Sequence, residues 1–200
     1  MESNRPNIIL ASASPRRKAL LEMLGVPDLT VIPAKGEETI DPSLTPAELV
    51  KTLSRQKAAE VAAEVAAEDA PEDAVVIGAD TVVVLDGAVL GKPKDKADAK
   101  RMLSALSGRS HTVWTGITAI RGDTSLSRAE RTEVFFRPLS GREIDAYIVT
   151  GGPLDKAGAY GAQDLASLFV ERIDGDFFNV VGLPLCALGK LLKERGVDLI

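Results

Sequence analysis

A carboxylate and a hydroxyl interrupt one of the most apolar stretches of the sequence. Asp80 and Thr81 lie inside Val76–Gly87, where the surrounding residues predict a β-strand buried on both faces. Burying an unpaired carboxylate in such a strand is strongly unfavourable. Asp80 must therefore be solvated in a cleft, paired with a cation or bound to a metal, or accept hydrogen bonds from backbone N–H groups as a structural residue. The pattern alone leaves both the functional and the structural interpretation open.

Cations cluster at the start of a predicted helix, where positive charge is unfavourable. Ser14 and Pro15 are typical of an N-cap and a first helical residue, and Arg16, Arg17 and Lys18 follow them directly. The positive end of the helix dipole disfavours cations. A bound anion would reverse this effect, because N–H groups, serine hydroxyls and guanidinium groups would all face it. The segment indicates a phosphate site, with a solvated basic turn beside acidic neighbours as the alternative.

Two more lysines have positions that suggest chemistry. Lys57 falls on the apolar stripe that repeats every fourth residue from Leu49 in a helix predicted over 46–67. It either packs its stem on the core with its head at the edge, or it projects its ammonium group into a cleft. Lys92 follows the Asp-Gly turn of a predicted hairpin, which would return it toward Asp80.

The ligand types in the sequence limit the metals that it can hold. The single cysteine, Cys186, can form no internal disulfide, and its leucine-rich helical surroundings predict that it is buried. One cysteine and one histidine, His111, cannot build a zinc site of the usual kind, so any metal must be held by oxygen atoms. The acidic pair Glu37 and Glu38 would supply such a ligand if its loop returns to the site, and is otherwise solvated.

Hydrophobic periodicity and turn residues predict strands and helices that alternate along the chain. A glycine-rich loop over 153–164 suits a close approach of backbone to a ligand, or simply a loop. The predicted strands are 7–11, 29–34, 75–85, 88–90, 111–120, 129–136, 168–173 and 177–181, and the predicted helices are 15–25, 46–67, 95–106, 140–150 and 183–195.

Composition excludes several classes of protein. The 200 residues are 45% hydrophobic, which suits one domain or two closely associated lobes and excludes disordered and fibrous proteins. No apolar run approaches the roughly 18 residues that span a bilayer, and the N-terminal segment lacks the features of a signal peptide. We therefore expect a cytoplasmic protein with no membrane partner. The net charge of −5 argues against nucleic-acid polymers as partners but leaves small phosphorylated ligands open.

Six separated segments together resemble one known family. No Walker sequence, Rossmann fingerprint, GxSxG elbow or HExxH helix is present. The segments ASASPRRKALL, GADT, LDGAVLGKP, LSGRSHTV, DKAGAYGAQ and GLPL, in this order along nearly the whole chain, resemble those of the Maf family of nucleoside triphosphate pyrophosphatases.

This resemblance implies a fold and a reaction. The fold would be an elongated α/β structure with a mixed, curved β-sheet flanked by helices and a deep cleft between two lobes, similar to inosine-triphosphate pyrophosphatases. The reaction would be hydrolysis of a nucleoside triphosphate between the α and β phosphates, with Mg²⁺ or Mn²⁺ as cofactor. The family is also associated with inhibition of septum formation, and its members are commonly homodimers.

The resemblance also assigns roles to residues, which we treat as expectations. Asp80 would accept a proton from the attacking water and contribute to metal binding. Glu38 matches an acidic position implicated in metal binding or catalysis and would be a second metal ligand. The residues that would line the phosphate site are Ser12, Arg17, Lys57 and Lys92.

Substrate preference follows from three further positions. Arg16, Thr81 and Gln163 match the subfamily that acts on dTTP and UTP, whereas the subfamily that acts on 7-methyl-GTP differs at each of them. A glutamine amide both donates and accepts hydrogen bonds, which suits a pyrimidine imide edge. The expected activity is therefore dTTP/UTP hydrolysis, including modified pyrimidine nucleotides. The alternatives are 7-methyl-GTP or CTP hydrolysis, or a nucleotide-binding regulator of septum formation.

The chain departs from the family pattern in two places. A glycine-rich segment usually follows the position of Gln163, but here Asp164–Ser167 stands there. The loop before Glu38 reads AKGEE instead of a hydrophobic residue followed by acids, which leaves the choice between Glu37 and Glu38 open.

Overall fold

A computed structural model describes residues 7–26, 29–36, 41, 43–67 and 74–199. Its strands are β1 Ile8–Ala11, β2 Thr30–Val31, β3 Val75–Leu85, β4 Ala88–Leu90, β5 Ser110–Arg121, β6 Thr124–Phe136 and β7 Val170–Asp174. Its α-helices are α1 Pro15–Met23, α2 Pro46–Ala67, α3 Lys96–Leu106, α4 Gly141–Val149, α5 Phe177–Val181 and α6 Leu185–Lys193, and short 3₁₀ helices span Ala157–Ala159 and Leu165–Phe169.

The strands form one seven-stranded mixed sheet, which confirms the predicted α/β class. The strand order is β2-β1-β3-β5-β6-β7, with β4 paired to β3 outside this path. β1 pairs in parallel with both β2 and β3, whereas β3–β4 and β6–β7 are antiparallel. The sheet therefore contains both parallel and antiparallel strand pairs, as predicted for a mixed sheet.

The chain divides into two compact units. The described residues up to Asp80, the segment Thr115–Glu130 and the described residues from Gly182 form the first. Thr81–Trp114 and Arg131–Val181 form the second. The division falls inside β3, β5 and β6, so each of these strands contributes residues to both units.

Within the first unit, helix α2 packs against β3 and β5 at two glycines. A Cβ atom at Gly78 on β3 would overlap the carbonyl oxygen of Ser54, and one at Gly116 on β5 would overlap that of Val50. Val50 and Ser54 are one helical turn apart, so the same face of α2 meets both strands. Hydrogen-bonded hydroxyls lie beneath this face, with Ser54 Oγ 2.8 Å from Thr118 Oγ1. The register of α2 against the sheet is therefore set by its backbone as well as by its side chains.

The second unit has an aromatic centre in an otherwise aliphatic core. The rings of Tyr160, Phe136, Phe169 and Tyr147, in this order, make successive edge-to-face contacts with centroids 4.8 to 6.1 Å apart. The aliphatic and small side chains of this core include Val83, Leu103, Leu106, Val134, Ile144 and Ala166.

The structure corrects several predictions about local elements. Phe177–Val181 is helix α5 and not a strand, because Asp176 Oδ1 accepts from the backbone N–H of Phe178 at 2.8 Å and starts a helical turn. The strand predicted over 29–34 is confined to Thr30–Val31. Cys186 is exposed and not buried, because the buried face of α6 is formed by Leu185, Leu188, Leu191 and Leu192.

Three predicted helix starts are confirmed. Ser14 caps α1, Asp95 caps α3, and Ser140 with Glu143 forms a capping box at the start of α4. Within the described ranges, no helix combines the length and the apolar character that a membrane span needs.

Candidate active site

Asp80 forms an ion pair with Lys57 inside the first unit. The carboxylate is 7% exposed and accepts a hydrogen bond from Lys57 Nζ. Alternation along β3 places Asp80 on the same face as Gly78, which is the face that meets α2. Lys57 lies three residues after Ser54 on that helix, so the close backbone contact at Gly78 brings the ammonium group to the carboxylate. Asp80 is thus the cation-paired acid that the sequence left as one of several possibilities.

Ser12 and Arg17 form a second polar pair at the start of α1. Ser12 is 6% exposed, and its Oγ accepts hydrogen bonds from Arg17 Nη1 at 3.1 Å and from the backbone N–H of Ser14 at 3.2 Å. Arg17 Nε donates to the carbonyl oxygen of Gly182 at 2.8 Å, which fixes the guanidinium plane. The arginine is therefore held across the beginning of the helix and is not a solvated surface side chain.

Lys18, the third cation of this turn, differs from Arg17. Lys18 is exposed and forms a surface ion pair with Glu22 at 3.5 Å, so the solvated-turn interpretation applies to it. Arg16 is half-buried in the same turn. The first turn of α1 contains no acidic residue. Of the three cations, Lys18 is therefore a solvated surface residue. The first turn keeps two arginines and no acid, which is the composition expected of an anion site.

The two polar pairs lie at the same edge of the sheet. β1 and β3 are parallel neighbours, with Ala11 opposite Gly78 at the end of the paired segment. Ser12 follows the end of β1, and Asp80 lies two residues beyond Gly78. Neighbouring strands are about 4.8 Å apart. Ser12 and Asp80 therefore lie at the same end of two neighbouring strands, each with its own cation, Arg17 and Lys57.

Thr81, Lys92 and Gln163 belong to the second unit. Thr81 is half-buried on β3 and shares a strand face with Val83. Val83 packs against Gly158 so closely that a Cβ there would lie 2.8 Å from Val83 Cγ2. The backbone N–H of Gly158 also donates to the carbonyl oxygen of Gly91 at 3.0 Å, next to the exposed Lys92.

The loop that carries Gln163 is therefore tied to the segments that carry Thr81 and Lys92. Gly158 has a φ of 66° and Ala159 a φ of 63°, so the loop passes through two consecutive left-handed residues at this contact. Gln163 is exposed at the far end of the loop.

A buried histidine in the second unit was not predicted as a site residue. His111 is 3% exposed, its Nε2 lies 2.7 Å from the hydroxyl of Tyr160, and its ring packs edge-to-face on Phe136. Burial lowers the pKa of His111 to about 4 and raises the pKa of Tyr160 above its usual range. His111 is thus neutral at pH 7 and anchors Tyr160 within the loop 157–163.

Sequence reasoning also missed that Lys57 and Asp80 are partners. The signal was present, since each residue was a charge of opposite sign at an otherwise apolar position. Only the pairing of α2 with β3 was absent from the pattern.

The acids proposed for metal binding are only partly described. Glu37 and Glu38 lie outside the described residues, so the choice between them stays a prediction. Among the residues that the structure does describe, no group of three or more histidine, cysteine, aspartate or glutamate side chains is arranged to hold a metal ion. Asp80 is the carboxylate that this part of the chain offers at the sheet edge.

Comparisons with known proteins identify the family. A family model described as Maf-like protein matches residues 7–195. A Bacillus anthracis (strain CDC 684 / NRRL 3495) protein named dTTP/UTP pyrophosphatase is 47% identical over 191 residues, covering 96% of each chain. Proteins of the same name from Bacillus cereus (strain ATCC 10987 / NRS 248) and Symbiobacterium thermophilum are 46% and 47% identical, covering 98% and 94% of this chain and 93% and 94% of their own.

A solved structure supports the fold independently. The Ham1 protein of Staphylococcus aureus superposes with a TM-score of 0.52 at 14% identity, covering 94% of this chain and 99% of that chain. This likeness concerns the fold alone. Given the family match over residues 7–195 and near-half identity across almost the whole chain, the protein belongs to the Maf family.

Proposed function

We propose that the protein hydrolyses dTTP and UTP between the α and β phosphates and releases the nucleoside monophosphate and pyrophosphate. The observation that carries this proposal is the Lys57–Asp80 pair beside Ser12 and Arg17 at one sheet edge. The names of the relatives that are 46% to 47% identical support the choice of substrate. Modified pyrimidine nucleotides are natural further substrates, which would make the protein a house-cleaning enzyme of the nucleotide pool.

In this proposal Asp80 is the general base. A water oxygen attacks the α phosphorus, its proton passes to the Asp80 carboxylate, and the bond from the α phosphorus to the bridging oxygen breaks so that pyrophosphate leaves. Lys57 balances the charge of Asp80 in a site that is largely removed from water. It would also offset the negative charge of the bound phosphates. Holding both groups before the substrate arrives removes the need to orient them during the reaction.

Ser12, Arg17 and Lys92 would bind the phosphate chain. Arg17 is already oriented by Gly182 and Ser12, so little side-chain freedom is lost when it meets an anion. The backbone N–H groups at the start of α1 add donors for the same anion. Lys92 is exposed after the hairpin turn and would neutralise a further phosphate charge.

The described residues are compatible with Mg²⁺ or Mn²⁺ held mainly by the substrate. Mg²⁺ commonly uses one or two protein carboxylates together with substrate phosphates and water. Asp80 supplies one such carboxylate, and Glu38 is the proposed second. When bound, the metal would polarise the phosphate oxygens and offset their charge.

Arg16, Thr81 and Gln163 would select the base. A uracil or thymine ring presents an N–H donor beside a carbonyl acceptor, and the amide of Gln163 is able to satisfy both. Thr81 shares a strand face with Val83, whose contact with Gly158 ties it to the loop of Gln163.

The decisive experiment is product analysis with four nucleotides and Mg²⁺. We expect the highest kcat/KM for dTTP and UTP, with pyrophosphate and the monophosphate as products, and lower values for CTP and 7-methyl-GTP. Release of inorganic phosphate without pyrophosphate would contradict cleavage at the α–β bond. A preference for 7-methyl-GTP or CTP would overturn the substrate assignment, and absence of turnover would favour a nucleotide-binding regulator of septum formation.

The variant Asp80→Asn tests the role of the acid. We expect kcat to fall by a factor of roughly 10² to 10⁴, the usual contribution of a general base, with the fold retained. Asp145→Asn is the matched control, because Asp145 is an exposed acid that pairs with Lys100 at 2.7 Å on the surface of the second unit. Full activity of Asp80→Asn together with full activity of the control would exclude Asp80 as the base.

We also propose a cytoplasmic homodimer, in keeping with nucleotide substrates and the family resemblance. Sedimentation of the protein at several concentrations tests the oligomeric state. A monomer at all concentrations would rule out the dimer and leave the catalytic proposal unchanged.

A further inference from the structure

A buried lysine spans the loop that ends at Gln163. Lys156 is 8% exposed, and its Nζ donates to the carbonyl oxygen of Gly152 at 2.6 Å and to Asp155 Oδ1 at 2.8 Å. The same nitrogen lies 3.3 Å from Asp164 Oδ2. An ammonium group has three N–H donors, and these three oxygens match that number. Lys156 therefore links the two ends of the loop, with residues 157–163 between them.

The backbone near Gln163 rests directly on this link. A Cβ atom at Gly161 would lie 2.7 Å from Lys156 Cε and 2.7 Å from Asp164 Oδ1, so the chain passes over the ion pair without space for a side chain. The backbone N–H of Asp164 also donates to the carbonyl oxygen of Gly161 at 3.2 Å, which closes a tight turn around Gln163. The ion pair thus supports both residues that flank the dipeptide 162–163.

The electrostatics require the acids. The Lys156 side chain is 9% exposed, whereas Asp155 and Asp164 are 65% and 40% exposed at their side chains. A nearly buried ammonium group is unfavourable unless charged partners surround it. Asp155 is adjacent in sequence to Lys156, so this pair does not bring the ends of the loop together. Asp164 is eight residues away and can pair with Lys156 only if the loop folds back.

The first half of the loop has separate attachments. Gly158 is bound to the carbonyl oxygen of Gly91, and the Tyr160 hydroxyl is bound to His111. These contacts hold residues 158–160 but do not reach Gln163. The Lys156–Asp164 pair is therefore the charged contact nearest to Gln163 in the loop, within the described part of the chain.

We propose that the Lys156–Asp164 ion pair is a positioning device that fixes Gln163 and thereby makes the enzyme discriminate between uracil and cytosine. The proposal rests on the proposed dTTP/UTP hydrolysis. Uracil offers an N–H donor and a carbonyl acceptor at its 3 and 4 positions, and cytosine offers the reverse pattern. A glutamine amide that turns over satisfies cytosine equally well. Discrimination therefore needs the main chain at Gln163 to be fixed, so that the amide meets the base from one position. Neither Lys156 nor Asp164 has to contact the reacting atoms.

The test compares UTP and CTP in the variant Asp164→Ala. We expect kcat/KM for UTP to fall by up to about tenfold, mainly through KM, and kcat/KM for CTP to fall less or to rise, so that the UTP/CTP ratio drops several-fold. Asp164→Glu keeps the charge and is expected to restore most of the ratio. Asp145→Ala, which removes the exposed pair with Lys100, is the control and should leave the ratio unchanged.

Each result has a distinct meaning. Equal losses for UTP and CTP, or an unchanged ratio in Asp164→Ala, would overturn the positioning role, because a general structural defect affects both substrates alike. Failure of the wild-type protein to hydrolyse UTP would instead contradict the proposed function. The midpoint of thermal unfolding of Asp164→Ala is measured in parallel, and Asp164→Asn provides a second variant of nearly equal shape if Asp164→Ala unfolds.

Discussion

At the scale of single residues, the most informative charged residues in the sequence were those in apolar surroundings. Asp80 and Lys57 were each identified in the sequence because a charge interrupted a hydrophobic pattern. Each explains the other in the structure, since a carboxylate that is 7% exposed needs a cation nearby. A search for opposite charges that interrupt neighbouring apolar elements would have found the pair.

His111 provides a residue-scale prediction about pH. Its pKa is about 4 in the folded protein because of burial, and about 6.5 in the unfolded chain. The unfolded chain binds a proton in this window and the folded protein does not, so stability is full above pH 6.5 and declines as pH falls toward 4. We expect this histidine to account for a loss of about 2 kcal/mol in the free energy of unfolding between pH 7 and pH 5.

Urea denaturation at the two pH values measures this loss. His111→Gln is the comparison, because it removes the only histidine of the chain and leaves the acidic groups in place. The variant should lose less stability than the wild type between pH 7 and pH 5. An identical pH dependence in both proteins would show that His111 does not carry the effect.

At the scale of elements, the sequence predicted most helices and strands but few of their contacts. Caps and turns at Ser14, Asp95 and Ser140 were local signals, and they correctly marked helix starts. The segment Phe177–Val181 has strong strand propensity but is helical. Asn179 Nδ2 in that helix donates to Val113 O and Thr132 Oγ1, which are 66 and 47 residues away and invisible to local patterns.

The interface of α2 with the sheet gives an element-scale prediction. Gly78→Ala should destabilise the protein by about 3 kcal/mol or more, because the new methyl group would meet the backbone of Ser54 and not a flexible side chain. It should also lower activity by moving Lys57 away from Asp80. Gly189→Ala in α6 is the control, since a Cβ there meets no atom within 4 Å, and it should stabilise the helix by up to about 1 kcal/mol.

Chemical denaturation of the two alanine variants supplies the measurement. Equal stability of Gly78→Ala and the wild type would mean that α2 can move away from β3 without cost. The glycines were visible in the sequence at 78 and 116, but nothing local identified the helix that approaches them.

At the scale of the whole molecule, two units are built from shared strands. β3, β5 and β6 each cross from one unit to the other, so neither unit consists of a continuous piece of chain. Length and composition allowed one domain or two lobes, and the sequence could not place these crossings because they depend on contacts between distant segments. The resemblance to the family supplied the α/β class, whereas periodicity and turn residues supplied the individual strands and helices.

The shared strands predict cooperative unfolding. We expect thermal unfolding in a single transition, because β3, β5 and β6 each run through both units. Fluorescence of Trp114, the only tryptophan, and far-UV circular dichroism should give the same midpoint. Two separated midpoints would show that the units unfold independently despite the strands that they share.

The contact between α2 and the two glycine-bearing strands also limits where insertions and deletions can occur in this helix. An insertion or deletion of one residue between Ser54 and Lys57 would turn the lysine by about 100° around the helix axis while Val50 and Ser54 stayed against Gly116 and Gly78. Substitutions along the outer face of α2 would be accepted, whereas a single-codon indel in this segment would separate the ammonium group from Asp80. Natural or engineered variation in helix length should therefore accumulate before Val50 or after Lys57, and not between these two residues.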